Sequence, residues 1–237
     1  MSGGGDRRDD TVPAMGRELA RGRRLDALAA AAGLALLLAC GFVVRNGTVG
    51  PAERAVFGSI NGLPESLEPL MRRVQLLGVL AVGPVAALVA LILGRVRLAV
   101  AAVVVTLGKL VAERLVWEVV QRQRPGVSAP DAIVRGGTPT TGVSFVSGHV
   151  VLVTALAWIA TPYIRGPWRA APWAVVALVA FARIYLGAHN PLDVVGGLGL
   201  GVALGALANL LVGVPSANGQ RDRPSDRPSD RPSDRRA

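Results

Sequence analysis

Lysine, cysteine and histidine are almost missing from this chain. Cys40 is the one cysteine in 237 residues, so no intrachain disulfide can form and no metal site is suggested. Lys109 is the one lysine, so the formal net charge of +10 rests on arginine. Aromatic residues make up 4% of the sequence, and the apolar blocks are built from Ala, Val, Leu and Gly, the residues that let helices pack closely in lipid. A basic balance can signal nucleic acid. Here the arginines lie at the ends of apolar blocks and in the tails, which fits orientation in a membrane, and no nucleic-acid partner is expected. There are two histidines, His149 and His189, and each lies beside a long apolar run.

What is abundant is apolar sequence. Hydrophobic residues reach 51% and the mean hydropathy is +0.44. They come in blocks of about 20 residues separated by short basic connections, a membrane pattern rather than a soluble core. Residues 1–24 are polar and arginine-rich and read as a disordered cytoplasmic tail. Residues 25–44 read as a first span. The Leu37-Leu38-Ala39-Cys40 box leaves open a cleaved leader, which would not change the later topology. Residues 45–73 read as an outer connection with one or two interfacial helices, and residues 74–93 as a second span running inward.

The third span, about 98–120, carries Lys109, Glu113, Arg114 and Glu118. Ionisable residues at that depth are costly unless paired or functional. Each oppositely charged pair is four residues apart, so two ion pairs facing the bundle are expected. The alternative is that Arg114 or Lys109 reaches toward the outer face. An outer loop at 121–145 follows, then spans at about 148–163, 171–186 and 191–212. Ser147 is placed as an N-cap, Gly187 as a helix stop and Pro191 in a first turn. Three Arg-Pro-Ser-Asp repeats close the chain as a low-complexity tail. The expected fold is all-α: a polytopic six-transmembrane-helix bundle over residues 25–213, multi-pass in the cell membrane. Tails 1–24 and 214–237 are expected to be disordered and cytoplasmic.

Under this topology Arg124, Ser147-Gly148-His149, Arg183, His189 and Asp193 all fall at outer helix ends. That combination suits phosphoryl transfer. Two guanidinium forks can clamp phosphate oxygens, and a helix N-terminus at Ser147-Gly148 offers free N–H groups and a favourable dipole. His189 and Asp193 are four apart, so the carboxylate can hold one ring nitrogen and leave the other as nucleophile. His149 is left to protonate the leaving oxygen. Taken singly, each residue also has an ordinary structural role, Asp193 as a capping carboxylate and Arg124 as a membrane-surface cation.

These residues resemble the type 2 phosphatidic acid phosphatase (PAP2) superfamily of lipid phosphate phosphatases. The third family motif is matched by Arg183, His189 and Asp193 at the family spacing, the second by Ser147, Gly148 and His149, and the first by Arg124 and Pro125. The resemblance implies that His189 attacks phosphorus to form a phosphohistidine, Asp193 orients it and His149 protonates the leaving group. It also implies that Arg124, Arg183, Ser147 and Gly148 hold the phosphate, and that neither metal nor other cofactor is needed. Val146 and Ala182 replace a motif proline and serine, and Trp117 stands where the family has a lysine. Lys109 is eight residues before Trp117, about 12 Å along a helix.

The expected activity is therefore hydrolysis of a lipid phosphate or diphosphate, polyprenyl type favoured, by a membrane enzyme whose site faces outward. The substrate lipid and the bilayer are its expected partners. A catalytically impaired relative that binds or moves a phospholipid is the alternative, with Trp117 as its sign. A small transporter would need polar residues deep in several spans, and only the third has them.

Overall fold

The computed structural model describes the backbone of residues 11–213 and the side chains of residues 21–213. The repeat tail at 214–237 and the first ten residues lie outside them. The described residues form nine α-helices: α1 (Thr11–Val44), α2 (Pro51–Asn61), α3 (Glu68–Val74), α4 (Val82–Ile92), α5 (Val96–Val119), α6 (Pro125–Ser128), α7 (Gly148–Ala160), α8 (Ala171–Tyr185) and α9 (Pro191–Val212). No strand occurs among them. One isolated antiparallel bridge joins Gln123 to Val143.

The bundle is built around α9, which touches α1, α2, α5, α7 and α8. Its glycines make this possible. A Cβ on Gly199 would lie 2.7 Å from the carbonyl oxygen of Gly33, and one on Gly33 would lie 2.9 Å from the nitrogen of Ala203. Only hydrogen at both positions lets α1 and α9 cross backbone to backbone, the usual device where lipid supplies no hydrophobic drive between helices. Leu37, Val44, Phe145, Val151 and Leu200 fill the space between α1, α7 and α9. Phe57, Val150, Val153, Val176 and Val179 fill the space under α2 and α8.

Large apolar side chains also face outward: Leu28, Leu38 and Phe42 on α1, Leu88 and Ile92 on α4, Val111 and Leu115 on α5. Such a surface suits lipid and not water. Among the described residues two helices are long and apolar enough to cross a membrane, Arg21–Val44 and Pro191–Val212. The number becomes three if the bent pair Glu65–Gly78 and Val82–Ile92 is one span. The stretches read as the other three spans are helical: α5, which is 24 residues long but carries charge, and the shorter α7 and α8.

Two expectations differ from the structure. α1 starts at Thr11, so residues 11–24, read as disordered, are helical. Residues 74–93, read as one continuous span, are broken: a 3-10 turn at Gln75–Gly78 is followed by extended Val79, and α4 leaves at a 63° bend. The break has a local cause. Gly78 lies so close to α7 that a Cβ there would be 2.8 Å from Cβ of His149. The broken segment thus packs against a candidate site residue instead of passing it by.

Candidate active site

Backbone hydrogen bonds gather the three motif segments. Ser144 N–H donates to the Arg122 carbonyl (2.8 Å), joining the loop after α5 to the loop before α7. Ser147 N–H donates to the Asp193 carbonyl (3.0 Å), joining the start of α7 to the start of α9. The Arg183 carbonyl accepts from Ala188 (3.0 Å) and His189 (3.3 Å), which folds the six residues after Arg183 back over the end of α8. Gly187 makes that fold possible: its φ is +72°, and a Cβ would lie 2.6 Å from the Ile133 carbonyl oxygen. Arg124 Nη1 donates to the Ala188 carbonyl (3.1 Å), bringing the first motif onto the third.

His189 is 3% exposed. Its Nδ1 lies 2.9 Å from the Ser144 carbonyl oxygen. A carbonyl can only accept, so Nδ1 carries the proton and Nε2 keeps its lone pair. The spacing of four residues assigns this task to Asp193. The structure gives the hydrogen bond to Ser144 instead, with Asp193 Oδ2 at 3.8 Å, close enough to act by charge. Burial pushes the His189 ring down to about 4. Asp193 opposes that shift, while Arg183 and Arg124 add to it. The ring is therefore neutral near pH 7, the state a nucleophile needs.

Asp193 is wholly buried, and both of its oxygens are held. Oδ2 accepts the Asn190 N–H at 2.8 Å, as in a capping box with Asn190 at the N-cap of α9. Oδ1 accepts from Arg122 Nη1 at 2.9 Å. Arg122 is also fully buried, and its fork meets both oxygens of Glu53 from α2, at 2.9 and 2.6 Å. Glu53 Oε1 also accepts the Leu192 N–H at 2.9 Å.

Around this core are donors with unused capacity. Arg183 is 5% exposed; its Nη1 donates to Gln75 Oε1 at 2.5 Å, and its Nε has no partner. Ser147 stands at the N-cap of α7 as expected but makes no capping bond, and its buried Oγ is unpartnered. Buried polar groups rarely go unpaired unless something else is meant to meet them. Partial burial pushes the Arg124 guanidinium down, against the pull of Asp193 and Glu113. His149 opens α7, and Arg183, His189, Lys109 and Arg124 all lie within electrostatic range of its ring. All seven sequence-derived residues thus occupy one end of the bundle.

α5, the third expected span, meets its expectation on one pair only. Lys109 Nζ lies 2.5 Å from Glu113, and both side chains are 12% exposed. Arg114 and Glu118 form no ion pair and are exposed, so Arg114 does not reach the site. Gly148 packs directly on the formed pair: a Cβ there would clash with Glu113 Oε1 and lie 3.0 Å from Lys109 Cε. Lys109 therefore climbs from below to the start of α7. Trp117, two turns above it, has a buried and unpartnered Nε1.

Glu53, Gln75 and Ser144 were not picked out from the sequence. Glu53 and Gln75 lie in or beside a stretch read only as a connection. Ser144 acts through a carbonyl that any residue would supply.

An all-helical bundle with outward apolar faces and a buried His–Asp–Arg cluster at one end defines a class of membrane protein with an anion-handling site. The PAP2 superfamily model matches residues 96–214, and the chain belongs to that superfamily. It is similar to the decaprenylphosphoryl-5-phosphoribose phosphatase of Mycobacterium tuberculosis (strain CDC 1551 / Oshkosh), 36% identical over 109 residues, which cover 46% of this chain and 55% of that one. The chain thus spans about half the length of the curated relatives it matches. In fold it resembles the crystal structure of Aquifex aeolicus LpxE, with a TM-score of 0.56 and 22% identity over 65% of this chain and 92% of that one. It also resembles the transmembrane PAP2-type phosphatidylglycerolphosphate phosphatase from Bacillus subtilis, with a TM-score of 0.51 and 17% identity over 76% of this chain and 94% of that one.

Proposed function

We propose that this protein is an integral membrane phosphatase that hydrolyses a lipid phosphate or diphosphate through a phosphohistidine on His189. The observation that carries the proposal is the His189 ring: buried, neutral, tied at Nδ1 to Ser144, with Nε2 left free. Nε2 attacks phosphorus and the bond from phosphorus to the leaving oxygen breaks, while His149, which takes up a proton once the bound phosphate offsets the surrounding guanidinium charge, gives that oxygen a proton. Water then attacks the phosphorus, His149 takes its proton, the P–N bond breaks and inorganic phosphate leaves. Arg124, Arg183, the Ser147 hydroxyl and the Gly148 N–H hold the non-bridging oxygens, where charge builds in the transition state. Asp193 steadies the positive charge that the substituted ring acquires.

Lys109 answers for the lysine that Trp117 displaces. Its ammonium lies under the first turn of α7 rather than beside it, so it lends charge to the site from below. The site faces outward in a six-span topology, with α5, α7 and α8 as the shorter or charged spans and both tails in the cytoplasm. The name of the Mycobacterium relative favours a polyprenyl-linked substrate, whose tail stays in the bilayer while its head group reaches the outer face.

Phosphate release in detergent with EDTA, from a panel of polyprenyl and glycerolipid phosphates, tests the proposal. Turnover of a polyprenyl substrate by the wild type and none by His189→Ala supports it. Trp117 favours a second reading, a relative that binds lipid phosphate without hydrolysis. Tight binding with no turnover across the panel would select that reading.

A further inference from the structure

His189 is held by two groups, and both rest on one residue. The Ser144 carbonyl takes its Nδ1 proton, and Ser144 is itself fixed by the Arg122 carbonyl, which accepts from Ser144 N–H at 2.8 Å. Asp193 supplies the nearby negative charge, and its Oδ1 is fixed by the Arg122 side chain at 2.9 Å. Arg122 therefore reaches the ring by two routes, one through its backbone and one through its guanidinium.

Arg122 is fixed in turn by Glu53, from a different element. The two-pronged Glu53 contact, at 2.9 and 2.6 Å, sets the plane of the guanidinium, and Arg122 Nη2 also donates to the Thr48 carbonyl at 3.2 Å. Glu53 grips the start of α9 as well, through the Leu192 N–H. The charge count matters as much as the geometry. Arg122 alone against Asp193 would cancel the carboxylate charge facing His189. With Glu53 on the other side of the fork, the trio keeps one net negative charge.

Resting on the phosphatase reading, we infer that the buried Glu53–Arg122 pair is a positioning element for the nucleophile: it fixes Asp193 and Ser144 around the His189 ring and keeps Asp193 negative while the ring is phosphorylated. The short outer helix α2 is thereby part of the catalytic apparatus, although none of its residues touches substrate. Removing the pair should slow the chemical step more than it weakens substrate binding, because the ring's charge develops only on the way to phosphohistidine.

The test is a double-mutant cycle read in kcat and KM. Glu53→Gln keeps size and an acceptor for Leu192 N–H but removes the charge. Arg122→Lys keeps the charge but loses the fork. Each is expected to lower kcat by about 10- to 100-fold with KM changed less than about threefold, a loss in the range seen for groups that orient active-site ligands. In an Asp193→Asn background the same changes should cost less than about threefold further, because both act through the side-chain route to Asp193, already gone, and keep the Arg122 carbonyl that holds Ser144. Wild-type kcat in both single variants overturns the inference. So do equal losses in the two backgrounds, or losses that follow the fraction of folded protein in a thermal melt.

Orthovanadate affinity, read from tryptophan fluorescence, repeats the cycle without turnover, since pentacoordinate vanadate on His189 mimics the transferring phosphoryl group. If wild type binds vanadate and the cycle is non-additive, but no lipid phosphate is hydrolysed, the inference stands and the activity assignment falls. If wild type neither hydrolyses lipid phosphates nor binds vanadate, both fall.

Discussion

The two ends of α9 each bury a carboxylate, and they use it differently. At the C-terminal end Asp26 of α1 accepts from Trp158 Nε1 at 2.9 Å and from Asn209 Nδ2 at 3.3 Å. Its partners there are neutral donors, and together they tie α1, α7 and α9. At the N-terminal end Asp193 meets a guanidinium, a histidine and, through Arg122, a second carboxylate. That end also leaves Ser147 Oγ, Arg183 Nε and Asn190 Oδ1 buried without partners. A polar group that only holds helices together is satisfied by those helices. Unpartnered polar atoms and concentrated charge set the Asp193 end apart from the Asp26 end.

Substitutions can break this contrast, and the largest effect belongs to the Asp193 end. Arg183→Ala removes a nearly buried guanidinium from the proposed phosphate site and should lower kcat by about 10²- to 10³-fold, the cost of losing one preorganised donor to developing charge. A loss under tenfold would demote Arg183 to a structural cation. Next comes Lys109→Met, expected to cost about tenfold in kcat/KM because the ammonium acts from beneath α7 and is half-neutralised by Glu113. No change would mean that the chain works without a replacement for the motif lysine. Asp26→Ala should leave kcat per folded molecule unchanged. It should destabilise the fold by about 1–3 kcal/mol, because two buried donors lose their acceptor. A drop in kcat there would erase the distinction between the two ends.

The contrast also has a pH signature. His189 takes its proton near 4 in the folded chain, against 6.5 for a free ring. The folded state therefore binds fewer protons than the unfolded one between these values. Stability is full above 6.5 and falls as pH drops toward 4. The acidic limb of kcat/KM assigned to His189 should lie near the lower value, and a limb at 6.5 would mean an exposed ring.

The spacing of Arg183, His189 and Asp193 was readable because a single turn and the first helical turn of α9 fix their geometry. Ser147 and Gly148 were readable for the same reason: helix starts are local. Glu53 was not, since it meets Asp193 only through Arg122 and only once α2 folds over the start of α9. Ser144 was hidden because a backbone carbonyl carries no sequence signal. The break at Gly78 was hidden because apolar composition continues through it, and its cause is the packing of α7. Lys109 and Glu113 were correctly paired by their spacing, yet their contact with Gly148 depends on how α5 and α7 lie together.

The central claim is that His189 carries the phosphoryl group. The most direct measurement is a rapid quench of the protein mixed with a polyprenyl diphosphate labelled with ³²P at its terminal phosphate, followed by isolation of the chain. The account predicts label on the chain that is stable to alkali, labile to acid and absent from His189→Ala. Turnover by the wild type with no such label, or equal label on His189→Ala, would contradict it.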